Sequence, residues 1–438
     1  MTEGPGEITA ASSGTGLGGT LLSTGLAAAV GALSGIVLAR TLGPVERGEL
    51  ATILLWPLAI GILGELGLSW AFSYYAARDE SFINGLWTMG WIVSAAWGTL
   101  LAAASHLLLG RFLVLSGHAR EALAFTIATV PLALATGLQS FLLLGVGALR
   151  AFNVVRTVSI FLYAAGVVGI ALFGMESVRA YAIAWVVSQV LTFVLATAWF
   201  VISRGPRLEW RPALIRPVAL YGAKTYASSL TAQMTLRLDQ IVMTALGASA
   251  VLGVYVVAAS VAALTFPLFT ALAIVVTHRF QGEAPSGAGP GVIEYLQLTF
   301  LLGLPLSMSI AFATPWLVPA LFGSAYRGAI LPAAILLAAG VFQGANAVLG
   351  NGLRALGLPG RPARAEATGF ILTIGLLFLL LPRFGATGAA VASLAAYASV
   401  TAIQLGFLCR AARLPVRELW SVDFGRLGTD LGALLRRR

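Results

Sequence analysis

Charge is scarce in this chain. Of its 438 residues only 10% are charged, where a soluble domain carries about a quarter. That shortage excludes a soluble globular protein and leaves no polar region large enough to house separate chemistry. Lysine is nearly missing: Lys224 is the only one and every other basic residue is arginine, a bias that reads as coding preference. Because that lysine follows Ala223, no G-x-x-x-x-G-K-[ST] loop exists, and ATP hydrolysis by a P-loop is excluded. The single cysteine, Cys409, excludes an internal disulfide, a C-x-x-C redox pair and a cysteine-based metal cluster. Aspartate occurs four times, at 79, 239, 423 and 430, and only Asp239 lies near an apolar run. No acidic cluster of the kind that serves metal or base chemistry is present, so neither an enzyme nor a metal or other cofactor is expected. The first fifteen residues hold no basic residue, so no ordinary cleaved signal peptide is expected and the first apolar helix should stay in place.

Apolar residues fill the rest, at 58% of the chain with a mean hydropathy of +0.91. Runs long enough to cross about 30 Å of hydrocarbon recur at 16–39, 50–72, 85–109, 121–145, 154–174, 179–202, 217–243, 250–277, 291–322, 328–350, 364–382 and 385–410. The expectation is an all-α integral membrane protein of about twelve spans. The net charge of +10 does not indicate nucleic acid, because the arginines sit in short loops between spans. Counted by side, 18 basic residues fall in the termini and the loops after even-numbered spans, against 7 after odd-numbered ones. Both termini are therefore expected in the cytoplasm.

A weak internal repeat accompanies this pattern. Gly43, Gly48 and Leu50 resemble Gly247, Gly253 and Tyr255, and Leu149-Arg150-Ala151 resembles Leu353-Arg354-Ala355, at offsets of 204 to 205. The simplest organisation is an N-terminal lobe at 1–203, an arginine-rich cytoplasmic linker at 204–216 and a C-terminal lobe at 217–410. A basic tail at 411–438 follows, with Trp420 and Phe424 among its arginines, as in an interfacial segment. Lobes of six helices each would share one orientation and enclose a cavity.

The seventh run carries the most polar groups. With 100° per residue, Tyr226, Ser229, Gln233, Arg237 and Gln240 fall within about 60° of one another. Lys224, Ser228, Thr231, Thr235 and Asp239 fall on the opposite side within about 80°. Ionisable groups inside a span mark a pathway by default, so Lys224, Tyr226, Gln233, Arg237, Asp239 and Gln240 are candidate cavity residues. In the alternative, Lys224 reaches the surface, Arg237 and Asp239 lie at the outer interface, and the hydroxyls bond back to helix carbonyls. Glu65, about 24 Å along the second run, is either interfacial or a proton or cation site. His106 reads as a packing residue. Gln343 and Asn346 read as hydrogen-bonding groups between helices, with substrate contact the alternative.

The run Ala39-Arg40-Thr41-Leu42-Gly43-Pro44-Val45-Glu46-Arg47-Gly48, followed by Gly64-Glu65-Leu66-Gly67-Leu68, resembles polysaccharide-transport, or Wzx-like, members of the MATE-like MOP flippase superfamily. So do Arg237-Leu238-Asp239-Gln240 with Leu246-Gly247 and Gly253-Val254-Tyr255, Leu321-Phe322-Gly323 with Tyr326, Arg354-Ala355-Leu356-Gly357 with Pro359, and Pro382-Arg383-Phe384-Gly385 with Gly388. The chain departs from the pattern at Arg47, where an aromatic is usual, and at Glu65, where aspartate is usual. The resemblance implies a two-lobed transporter of the bacterial cytoplasmic, or inner, membrane. Its substrate would be an undecaprenyl-diphosphate-linked oligosaccharide, moved outward by alternating access without ATP. A fixed Lys224 or Arg237 would lower the cost of carrying the diphosphate through a low-dielectric layer. Membrane lipids are implied partners, H+ or Na+ is a candidate coupling ion, and a polysaccharide polymerase or glycosyltransferase is a candidate protein partner. The rival readings are a drug or cation antiporter of the same superfamily, which would want an acidic cavity, and a membrane glycosyltransferase or ligase.

Overall fold

The computed structural model describes residues 13–112, 120, 123–124, 126–235, 237–280 and 283–413. Of the segment expected to be an interfacial tail, residues 414–438 lie outside the described residues. The chain is all-helical: among the described residues there is no strand, and eight helical stretches are long and apolar enough to cross a membrane. Thirteen helices are labelled here in chain order. They are α1 (Ser13–Gly64), α2 (Leu68–Arg78), α3 (Ile83–Phe112), α4 (Val130–Gly145), α5 (Leu149–Leu172) and α6 (Val178–Arg204), then α7 (Ile215–Thr235), α8 (Leu238–Ala245), α9 (Ser249–Ala262), α10 (Phe266–Phe280), α11 (Pro285–Phe322), α12 (Ile330–Ala355) and α13 (Gly360–Ala412).

The eight do not correspond one to one with the twelve apolar runs, because helices join at some loops and break inside some runs. α1 contains two runs joined at Gly43, whose φ of 69° and ψ of 175° lie outside the helical region. Glycine carries that conformation without the Cβ clash, and Pro44, lacking an N–H, opens the second limb without losing a hydrogen bond. α13 likewise joins two runs across a bend at Gly385. The second run, expected to be continuous over 50–72, instead ends α1 at Gly64 and restarts at Leu68 after Leu66 and Gly67, both at positive φ. Carbonyls freed at that break are satisfied from outside the helix: Trp97 Nε1 donates to Gly64 O (3.0 Å), and the Tyr226 hydroxyl donates to Ile62 O (3.0 Å) and Leu63 O (2.9 Å). A break inside a membrane segment needs such partners, since no water replaces the lost bonds.

Buried side chains gather into four clusters that sort by position along the chain. Two are drawn from residues 38–218, one centred on Phe72, Leu86 and Phe200 and the other on Leu50, Ile53 and Val167. Two are drawn almost wholly from residues 238–408, one centred on Met243, Ala258 and Leu337 and the other on Val276, Ala345 and Leu349. Large apolar side chains such as Leu107, Ile202, Phe312 and Ile371 remain exposed, as expected of surfaces whose solvent is lipid.

The two portions meet along two seams. At the first, Gly48 and Gly253 face each other: a Cβ on Gly48 would come within 1.7 Å of Ser249 O, and one on Gly253 within 1.9 Å of Pro44 O. Small residues let helix backbones approach closely where van der Waals contact drives association in lipid. Nearby, Arg40 bridges to the C-terminal end of α11, donating from Nε to Leu321 O (2.8 Å) and from Nη2 to Ala320 O. At the second seam a Cβ on Gly67 would lie 2.3 Å from Gly222 O, beside the Tyr226 bonds to α1.

These contacts divide the two halves of the repeat evidence. Gly43 and Gly247 both turn at positive φ, 69° and 68°, just ahead of the limbs that carry Gly48 and Gly253. The Leu-Arg-Ala match is different: Leu149 begins α5 after the Gly147 turn, whereas Leu353 lies at the end of α12 before the Gly357 turn. Those two tripeptides do not occupy corresponding places, and their identity reflects only how common such residues are.

Candidate functional site

The seventh run, expected to be one helix over 217–243, is broken. α7 ends at Thr235 and α8 begins at Leu238, with Arg237 between them at φ −124°, ψ −5°. The Arg237 N–H donates to Met234 O (3.0 Å) in a tight turn, and Arg237 O accepts from Ile241 N (2.9 Å) to restart the helix. No Gly or Pro occurs between Gly222 and Gly247, so nothing in the local sequence announces the break. The turn rotates α8 relative to α7. Arg237 and Asp239, on opposite faces of an unbroken helix, come to line one cavity together with Gln240.

That cavity has a volume of about 350 Å³ and lies among α8, α9, α12 and α13. Its polar groups are Arg237, Asp239, Gln240, Tyr255, Ser260, Gln343 and Tyr397. Asp239 is buried, 6% exposed. Its Oδ1 accepts the Gln240 N–H (2.7 Å), its Oδ2 accepts the Tyr255 hydroxyl, and Ser393 on α13 also hydrogen-bonds to it. A buried carboxyl with this many donors is held in place and satisfied. Arg237 is exposed, and its charge interacts with that of Asp239. No salt bridge engages its guanidinium among the described residues. One wall thus presents a guanidinium outside any salt bridge among the described residues, and the depth presents an anchored carboxyl. Such a pair can receive an anionic group at the guanidinium while the carboxyl exchanges a proton or holds a cation.

The other candidates lie elsewhere. Glu65, half-buried at the break between α1 and α2, lines a separate cavity of about 190 Å³ with Gly61, Ser69, Trp185 and Gln189. Tyr226 spans to α1 through its hydroxyl, as described above. Lys224 and Gln233 are exposed on α7 and line neither cavity. The side chains of Ser228, Ser229, Thr231 and Thr235 lie outside the described residues. His106, expected to pack inside, is exposed on α3, because the Ala/Leu-rich face around it looks outward. Asn346 does join helices: its Nδ2 donates to Tyr397 O (3.1 Å) and its Oδ1 accepts the Thr401 hydroxyl (2.7 Å). Gln343, three residues earlier, faces the cavity.

Sequence reasoning missed Tyr255 and Tyr397 as site residues. Each is a lone tyrosine in an apolar run, and only the partner it meets in space distinguishes it from a packing aromatic. Among the described residues no group of three or more His, Cys, Asp or Glu could hold a metal ion.

Comparison with known proteins supplies the context. The structure is similar to an inward-facing multidrug resistance MATE family transporter of the MOP superfamily, with a TM-score of 0.72 at 16% identity over 90% of this chain and 98% of that one. It is equally similar to the lipid II flippase MurJ in an inward closed conformation, TM-score 0.72 at 14% identity, covering 96% and 93%. At those identities the likeness establishes the fold. A probable low-salt glycan biosynthesis flippase, Agl15 of Haloferax volcanii, is 30% identical over 110 residues, so that the match spans 25% of this chain and 23% of that protein. The polysaccharide biosynthesis protein family matches residues 37–331, a stretch that holds the Glu65 break, all four seam glycines and the Arg237–Asp239 turn. With two thirds of its length in that match and the fold of the MOP transporters around its cavity, this multi-pass membrane protein belongs to the polysaccharide biosynthesis protein family.

Proposed function

We propose that the chain is a flippase for a lipid-linked oligosaccharide, undecaprenyl-diphosphate-linked, in the bacterial cytoplasmic membrane. The observation that carries this reading is the Arg237 guanidinium, unpaired among the described residues and turned by the helix break into a cavity of about 350 Å³. A diphosphate crossing a low-dielectric layer needs a fixed positive partner, and arginine meets phosphate oxygens two at a time. The lipid tail would stay in the bilayer while the sugar occupies the cavity. The roles of Agl15 and MurJ point the same way. In this reading the chain crosses the membrane twelve times with both termini cytoplasmic, as lobes 1–203 and 217–410 joined by the linker 204–216. The seams at Gly48–Gly253 and Gly67–Gly222 would open in turn during alternating access.

The test is accumulation of the lipid-linked intermediate on the cytoplasmic leaflet in cells depleted of their native flippase. Arg237→Gln should abolish rescue at wild-type protein levels, Arg237→Lys should retain part of it, and Lys224→Gln should transport normally. Normal rescue by Arg237→Gln sinks the reading. One observation favours a second reading, a proton- or cation-driven drug antiporter: Asp239 is a buried carboxyl in the same cavity. Asp239→Asn that loses drug resistance while sparing lipid-linked intermediate export would favour it.

A further inference from the structure

Arg47 has no part in the cavity just described, yet it is a buried charge that no salt bridge engages among the described residues. It sits one residue before the seam glycine Gly48, in the second limb of α1, and is 8% exposed. Its Nε finds no hydrogen-bond partner among the described residues, and neither do the hydroxyls of Tyr163 on α5 and Tyr326 in the turn before α12. Those two phenols are the groups that interact with its charge. Arg47 and Tyr163 line a cavity of about 270 Å³. Gly31 and Gly35 also line that space, and an added Cβ at either would meet nothing within 4 Å.

Buried polar atoms are almost always paired, and a lone buried cation is the most expensive exception. Here one N–H and two O–H groups without a partner gather around one buried charge, two of their three residues beside an open space, and among the described residues no carboxylate pairs with the guanidinium. Donors without acceptors suit an anion. A single positive charge is balanced by a single negative one.

We propose that Arg47 and Tyr163, with Tyr326 beside the buried charge, form a second site, separate from the Arg237 cavity, that binds a small monovalent anion of the halide class. The site is a property of the fold and stands whatever lipid the protein carries. Its occupant neutralises the buried guanidinium next to the Gly48–Gly253 seam, so the closed seam is favoured when the anion is bound.

The test uses the purified full-length chain in detergent, with thermal unfolding followed as sodium gluconate is replaced by sodium chloride or bromide at constant ionic strength. The wild type should gain several degrees in a saturable titration with either halide. Arg47→Gln should titrate flat, and so should Gly35→Leu, which keeps the charge and fills part of the same cavity. Arg237→Gln should keep the wild-type curve. Crystals grown in bromide should show an anomalous peak within hydrogen-bond reach of Arg47 Nε, and this readout decides the matter if Arg47→Gln does not fold. Superimposable titrations for wild type and Arg47→Gln overturn the proposal, as does an equal response to gluconate. Stabilisation by inorganic pyrophosphate at much lower concentration than chloride, lost in Arg47→Gln, overturns the monovalent assignment and makes this a diphosphate site.

Discussion

Two buried charges, Asp239 and Arg47, are treated in opposite ways. Asp239 is surrounded: a tyrosine, a serine and a backbone N–H all donate to it, and Arg237 adds a nearby positive charge. Arg47, buried to nearly the same degree, has among the described residues two phenols near its charge, and their own hydroxyls are unpaired. A satisfied buried charge is part of the scaffold, and removing it leaves its donors stranded. An unsatisfied one is a cost that the fold tolerates for what it can bind.

The contrast predicts a graded series of effects. The largest comes from prising apart the seam beside Arg47. Gly253→Val places a side chain against the backbone of Pro44, which cannot move aside, and should cost more than about 4 kcal/mol, read as loss of the monodisperse peak in detergent chromatography. Asp239→Ala comes next. It takes the acceptor from the Tyr255 hydroxyl and the Gln240 N–H and leaves Ser393 with Tyr255 alone, and should cost about 3 kcal/mol in reversible unfolding. Tyr255→Phe removes one donor and leaves the carboxyl with the rest, for about 1 kcal/mol. Arg47→Met, measured in halide-free buffer, should reverse the sign and stabilise the protein by about 1 kcal/mol, because no partner is lost and a desolvated charge is removed. A destabilisation there comparable to that of Asp239→Ala would erase the contrast. The smallest effect belongs to Lys224→Gln, which should leave the unfolding midpoint unchanged because the side chain is exposed and serves neither cavity.

Much of this is legible in the order of residues. The glycines at 43 and 247 mark turns in similar surroundings, but that Gly48 and Gly253 meet backbone to backbone is visible only in the structure. The polar residues of the seventh run stand out on two faces without any knowledge of the fold. The turn at Arg237 is not legible, since no Gly or Pro signals it. A continuous helix would hold Arg237 and Asp239 apart and set Lys224 on the face of Asp239; the break reverses both relations.

Tyr226 shows the same limit from another side. Its place on the stripe suggests a cavity role, but its hydroxyl instead supplies the hydrogen bonds that the broken second run has lost at Ile62 and Leu63.

By itself the sequence determined the solvent and the class of element. Long apolar runs with few charges have no stable home outside lipid, and in lipid a segment must satisfy its backbone internally, which makes it a helix. Those are properties of composition and local periodicity, which need no knowledge of neighbours. Only the tertiary structure decided where helices break and which charges are answered. A break is stable only where a side chain from a distant helix, such as Trp97 or Tyr226, takes up the freed carbonyls. A buried charge is satisfied or stranded according to groups such as Ser393 and Tyr326, which lie far from Asp239 and Arg47 in the chain and beside them only once it is folded.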